Sequence, residues 1–172
     1  VDSLRKERYD TTVVIATDYF VDEEQLDALD EVFKPAVGDL DGNGKVSINY
    51  AVLYVGNTEV GRQNQERMYL YMSQEDVGLY LMCQNVSDAF TNPELEYFTD
   101  DLTEMGLPAD DNHARLSLKD NSVLADCGME DMYLSIMDFT TVKGDSIARN
   151  TRDAAVSMAQ ALIDAGTSGE NS

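Results

Sequence analysis

Two hydrophobic periods alternate along the first half of this chain. Thr11 to Thr17 is a short, β-branched apolar run, which suits a buried strand. From Asp22 the period becomes helical, with Leu26, Leu29, Val32 and Phe33 on one face. Asp22 stands at the N-cap position, with Gln25 as its capping-box partner and Val21 and Leu26 placed for a hydrophobic staple. Glu23 and Glu24 favour the positive end of the helix dipole, and Pro35 and Gly38 are expected to close the helix. Val46, Ile48, Tyr50 and Val52 then alternate, and Leu53 to Val55 continue apolar, so Val46–Val55 reads as a second strand ending at Gly56-Asn57. Gly61 to Gln74 reads as a second helix carrying Met68, Leu70, Tyr71 and Met72. Val77 to Cys83 is almost wholly apolar, as a central parallel strand is.

The order β-α-β-α-β calls for a parallel sheet joined by right-handed crossovers. The second half is less regular. Asn92-Pro93-Glu94 reads as a helix start with proline in the first turn, and Phe98, Leu102 and Met105 follow as its apolar face. Ala114–Leu118 and Ser122–Ala125 read as an antiparallel hairpin about Lys119-Asp120-Asn121. Met132–Phe139 is a last strand, and Thr151 to Ala165 a closing helix with Ala155, Met158, Ala159, Leu162 and Ile163 on one face and Gly166 as its stop. The expected fold is α/β: three layers, a mainly parallel sheet with helices on both faces, and that hairpin in the C-terminal half. A polar lead-in over 1–10, one domain over 11–166 and a disordered tail over 167–172 complete the expected organisation.

Charge narrows the partners. Thirty-three acidic residues against 12 lysines and arginines give a formal net charge of −21. A surface of that sign repels polyanions, which argues against nucleic acid and anionic membranes as partners; the same charge also serves solubility alone. No segment approaches the roughly 18 consecutive apolar residues that a membrane span needs. A chain starting at Val1 rather than methionine, with Arg5, Lys6 and Arg8 in its lead-in, is read as a fragment or mature form that an upstream anchor would hold at an extracellular surface. Cys83 and Cys127 carry no disulfide framework; two free thiols are expected, a single disulfide being the alternative.

One segment has the donor pattern of a hard-cation loop. Asp39, Asp41 and Asn43 fall at the first, third and fifth positions of an oxygen-ligand loop, Gly44 at the turn position and Lys45 where only a backbone carbonyl is needed. The stretch Asp39–Ser47 resembles EF-hand and dockerin loops, which implies Ca²⁺. It departs from them where Tyr50 replaces the closing carboxylate and a strand replaces the second helix. It is therefore more similar to the isolated calcium loop of some bacterial sugar-binding proteins, where a remote carboxylate completes the shell. The same residues also populate a plain turn between a helix and a strand, and both readings stay open.

The stretch from Thr11 to Leu107 also resembles the first lobe of bacterial extracellular solute-binding proteins, in the rhythm of VVIAT, VSINYAVLYV, DVGLYLMCQNVSDAF and FTDDLTEMG. That likeness implies binding of a small solute. This chain has room for one lobe only, so no ligand clamp between lobes and no binding residue of that family is carried over. Independently, open parallel sheets bind ligands at the carboxyl ends of their strands. Asp18, Tyr19, Phe20, Asn57, Gln84 and Asn85 stand at those ends, as a polar-aromatic pocket or as ordinary loop residues.

Catalytic chemistry has little foothold. The lone His113 sits in a polar stretch without a histidine partner for zinc, and no nucleophile elbow, phosphate loop or dinucleotide turn occurs. The expectation is a non-catalytic extracellular domain that binds a small solute or a protein and carries a calcium loop. A metal-free interaction module and an enzyme with a dispersed acidic site are the alternatives.

Overall fold

The computed structural model describes residues 11–37, 46–72, 77–90, 101–110, 113–119, 121–129, 131–137 and 146–168. They form an α/β fold around one five-stranded mixed sheet. In chain order the elements are β1 (Thr11–Thr17), a 3-10 turn (Glu23–Leu26) leading into α1 (Asp27–Val37), β2 (Ile48–Tyr54), α2 (Glu59–Met72), β3 (Val77–Cys83) and α3 (Gln84–Phe90). A second 3-10 turn (Leu102–Met105), β4 (Leu116–Ser117), α4 (Ser122–Asp126), β5 (Met132–Ile136) and α5 (Ser146–Ser168) follow.

The strand order is β2-β1-β3-β5-β4. β1 lies parallel to both β2 and β3, while β5 runs antiparallel to β3 and to β4. The fourth expected strand thus joins the same sheet in the opposite sense. Every residue of β1 and β3 is buried, so both faces of these two strands are covered by protein. Their largely apolar runs suit strands covered on both faces. β2 lies at the sheet edge and mixes buried with partly exposed positions instead.

Helices α1, α4 and α5 pack on one another, α5 lies on β3 and β5, α2 on β2, and α3 on β3. α5 approaches β3 closely at Gly78. A Cβ there would come within 3.0 Å of Thr151 Cγ2 and 3.1 Å of Ala155 Cβ. The missing side chain lets α5 seat against β3, with Ala155, Met158, Ala159 and Leu162 fully buried in one continuous core.

Several expectations are corrected. Ser122–Asp126 is helix α4, so the hairpin about residues 119–121 does not form; β4 pairs instead with β5, Leu116 opposite Leu134. Asn121 decides this locally, because its side-chain oxygen accepts from the backbone N–H groups of Val123 and Leu124 and caps the helix. Gly166 does not stop α5, which runs to Ser168 and so takes in the first two residues of the expected disordered tail. It marks a close contact: Asn121 Nδ2 donates to Leu162 O, Ser122 Oγ donates to Gly166 O, and a Cβ at Gly166 would collide with the Asn121 amide. Pro35 lies inside the last turn of α1 rather than ending it. Asp22 is the N-cap, accepting from Glu24 N at 3.0 Å, but the first turn it caps is 3-10. The expected helix start at Asn92-Pro93-Glu94 and the end of the last strand, Asp138 and Phe139, lie outside the described residues, as does the lead-in.

Candidate functional site

The six strand-end residues do not converge on one pocket. The strand order turns about β1, since β2 and β3 flank it on opposite sides. This makes the crevice between β1 and β3 the expected ligand position. There Asn85 Nδ2 donates to Asp18 Oδ2 at 3.1 Å and bridges the crevice. α3 begins at Gln84 directly after β3, a helix that the residue pattern did not reveal, and Gln84 and Asn85 are exposed on its first turn. Beneath them Cys83 is buried at 4% exposure. Burial pushes its thiol above the ordinary range, and Asp18 adds to that; the backbone N–H groups of Val86, Asp18 and Asn85 pull less strongly the other way. Cys127, also free and fully buried, is raised chiefly by burial too.

One strand over, the carboxyl ends of β1 and β2 frame an open cleft of about 450 Å³. It is lined by Thr17, Tyr19, Phe20, Val21, Asp22, Glu23, Glu24, Val52 and Tyr54. Tyr19 and Phe20 are the two expected residues that reach it. Asn57 is exposed on the turn after β2 and does not line it. Tyr19 is anchored from both ends: its carbonyl accepts from Thr17 Oγ1 at 2.6 Å, and its hydroxyl donates to the sulfur of Met132 at 3.2 Å. Phe20 is 84% exposed.

The remaining lining residues were legible only as secondary-structure signals. Asp22, Glu23 and Glu24 read as an N-cap and a favourable first turn, and Val52 and Tyr54 as part of the second strand. The backbone between β1 and α1 turns these signals into the wall of a cleft. A smaller cleft of about 240 Å³ adjoins it, lined by Glu23, Leu26, Asp27, Asp30, Lys34, Ser47, Ile48 and Tyr50. Here the Tyr50 hydroxyl donates to Asp30 Oδ1 at 2.7 Å, and Lys34 Nζ lies 3.0 Å from Asp30 Oδ2. Burial first, and the bond to the Asp30 carboxylate next, hold the Tyr50 phenol far above its ordinary value.

The lone histidine has a surface role. His113 Nδ1 lies 3.5 Å from Asp101 Oδ2, with both side chains largely in solvent. Asp101 caps the Leu102–Met105 turn, and its carboxyl is held below the ordinary range first by the Thr103 hydroxyl. Arg115, just before β4, stacks on Tyr133 of β5 at 4.3 Å and pairs with Asp88 of α3. The calcium-loop residues Asp39, Asp41, Asn43 and Lys45 lie outside the described residues. Among the described residues no group of three or more His, Cys, Asp or Glu side chains is arranged to hold a metal ion, and no helix is long and apolar enough to cross a membrane.

No family model, curated protein or solved structure matches this chain.

Proposed function

We propose that this chain is a non-catalytic, extracellular solute-binding domain whose ligand occupies the cleft at the carboxyl ends of β1 and β2, on a three-layer α/β frame. The carrying observation is the cleft itself: about 450 Å³, lined by three aromatic side chains and a few polar ones. That size and mixture suit a small organic ligand. Its lining holds no cysteine, serine, histidine or lysine, which favours binding over turnover. On this reading Ca²⁺ at Asp39, Asp41, Asn43 and the Lys45 carbonyl stabilises the entry into β2. Support for the metal is the residue spacing.

The test is a panel of small solutes followed by backbone amide NMR, with Ca²⁺ present and chelated. Hits should shift residues 19–24 and 52–54 saturably. Ca²⁺ at millimolar concentration should raise the melting temperature by mass action, and Asp41→Ala should remove that gain. Absence of any calcium-dependent shift removes the metal from the proposal. Hits confined to other surfaces remove the site.

A metal-free protein-interaction module is the second reading. It is favoured by α2, which exposes Val60 at 59%, Tyr69 at 53% and Leu70 at 64%. Binding that maps to these three side chains would replace the first reading.

A further inference from the structure

We infer that the strand-end cleft selects a small organic ammonium ion, recognised by Tyr19, Phe20 and Tyr54 together with the carboxylates of Glu23 and Glu24. This rests on the solute-binding reading above and specifies the ligand class.

The cavity and its aromatic walls come first. Phe20 is the most exposed of the large apolar side chains among the described residues, yet it lies on the rim of a cleft beside two tyrosines. A ligand packed there would withdraw that ring from water, which is the main favourable term available to so open a site. Aromatic faces carry negative quadrupoles and attract a cation that can shed its hydration cheaply, which alkylated ammonium ions do.

The charge of the wall fits the same occupant. No lysine, arginine or histidine lines the cleft, whereas Asp22, Glu23 and Glu24 do. The Asp22 carboxylate is already engaged by Glu24 N, so it is a structural cap. Glu23 and Glu24 are exposed at the start of the 3-10 turn, with their carboxylates available to a ligand. An anionic solute would meet three carboxylates and no cation. A neutral apolar solute would use the rings and leave the carboxylates idle. An ammonium ion with short alkyl groups uses both.

Choline serves as the probe, with 3,3-dimethylbutan-1-ol as its neutral carbon isostere and acetate as an anion, each titrated into the full chain and read by NMR of the aromatic and amide signals of residues 19–24 and 52–54. Choline should shift these signals saturably and bind at least about threefold more tightly than the isostere, and acetate should not bind. Raising the salt concentration should weaken choline. Phe20→Ala, and separately Glu23→Gln with Glu24→Gln, should each weaken it several-fold; Phe20→Ala should leave the melting temperature unchanged, and the paired glutamine variant should lower it only slightly, through the lost interaction with the first helical turn. Equal binding of choline and the isostere, or indifference to the paired glutamine variant, overturns the charge inference while leaving the cleft as a binding site. Shifts that never saturate and spread over the acidic surface overturn it as a counterion effect. If other solutes occupy the cleft and choline does not, this inference fails alone. If nothing occupies it, the parent reading fails as well.

Discussion

Two neighbouring strand-end crevices share β1 and differ in almost everything else. Between β1 and β3, Asn85 and Asp18 bond across the gap and α3 starts at once, leaving Cys83 buried below. Between β1 and β2, the chain spends five residues, 18–22, after β1 before its next turn begins, and four residues, 55–58, separate the edge strand β2 from α2. The first crevice is bridged by a hydrogen bond between short polar side chains. The second stays open and gains an exposed phenylalanine and a row of carboxylates. Topology thus nominates strand ends, but the length of the following connection decides which of them is accessible.

Met132 sits on both sides of this contrast. It pairs with Cys83 across the sheet, and its sulfur accepts from the Tyr19 hydroxyl at the cleft wall. Met132→Ala should therefore have the largest effect, a loss of about 2–5 kcal/mol for a fully buried side chain, measured by urea unfolding. It should also free the Tyr19 ring, visible as altered aromatic signals, while the Asn85–Asp18 bridge remains. A loss below about 1 kcal/mol would show that β5 does not anchor the cleft.

Tyr50→Phe probes the smaller cleft beside the open one. Removing the hydroxyl that Asp30 accepts should cost about 1 kcal/mol, because Asp30 keeps Lys34 and some solvent. The sign with pH follows from the raised phenol. Below the unfolded-state value of about 10, tyrosine is protonated in both states and its contribution is complete. Above that value the unfolded chain releases the proton while the folded chain retains it, so stability falls as pH rises. The difference between the wild type and Tyr50→Phe should shrink above about pH 10; a constant difference would place the hydroxyl in solvent.

The smallest effect is expected at the bridged crevice. Asn85→Ala removes one exposed hydrogen bond and should change stability by less than about 0.5 kcal/mol. Yet it should raise the alkylation rate of Cys83 several-fold, read by peptide-resolved mass spectrometry with Cys127 as the unchanged internal reference. Equal rates in the two proteins would mean that the bridge does not seal the crevice.

Much of the frame is legible in local pattern. The largely apolar runs of β1 and β3 coincide with Thr11–Thr17 and Val77–Cys83, because a strand covered on both faces needs mostly apolar or β-branched side chains, the buried threonines of β1 lying at its two ends. The helix face of α5 follows the expected 3.6 period through Ala155, Met158, Ala159 and Leu162 for the same burial reason. Segments too short to show a period are not legible. Ser122–Asp126 is helical because Asn121 caps it and is itself held by Leu162 O, 41 residues away along the chain.

The candidate site divides in the same way. Asp18, Tyr19, Phe20, Asn57, Gln84 and Asn85 were all nominated by position at a strand end, a property of chain order alone. Only tertiary structure could part them, sending Tyr19 and Phe20 to an open cleft, Asp18 and Asn85 to a closed bridge, and Gln84 and Asn57 to the surface. The sequence by itself determined the alternation of buried strands and helices and the excess of negative charge, since these are properties of residues and their nearest neighbours. Tertiary structure decided the sense of β5, the partner of β4 and the accessible strand end. These depend on contacts between residues tens of positions apart, such as Cys83 opposite Met132 and Tyr19 against the same methionine, which no local pattern encodes.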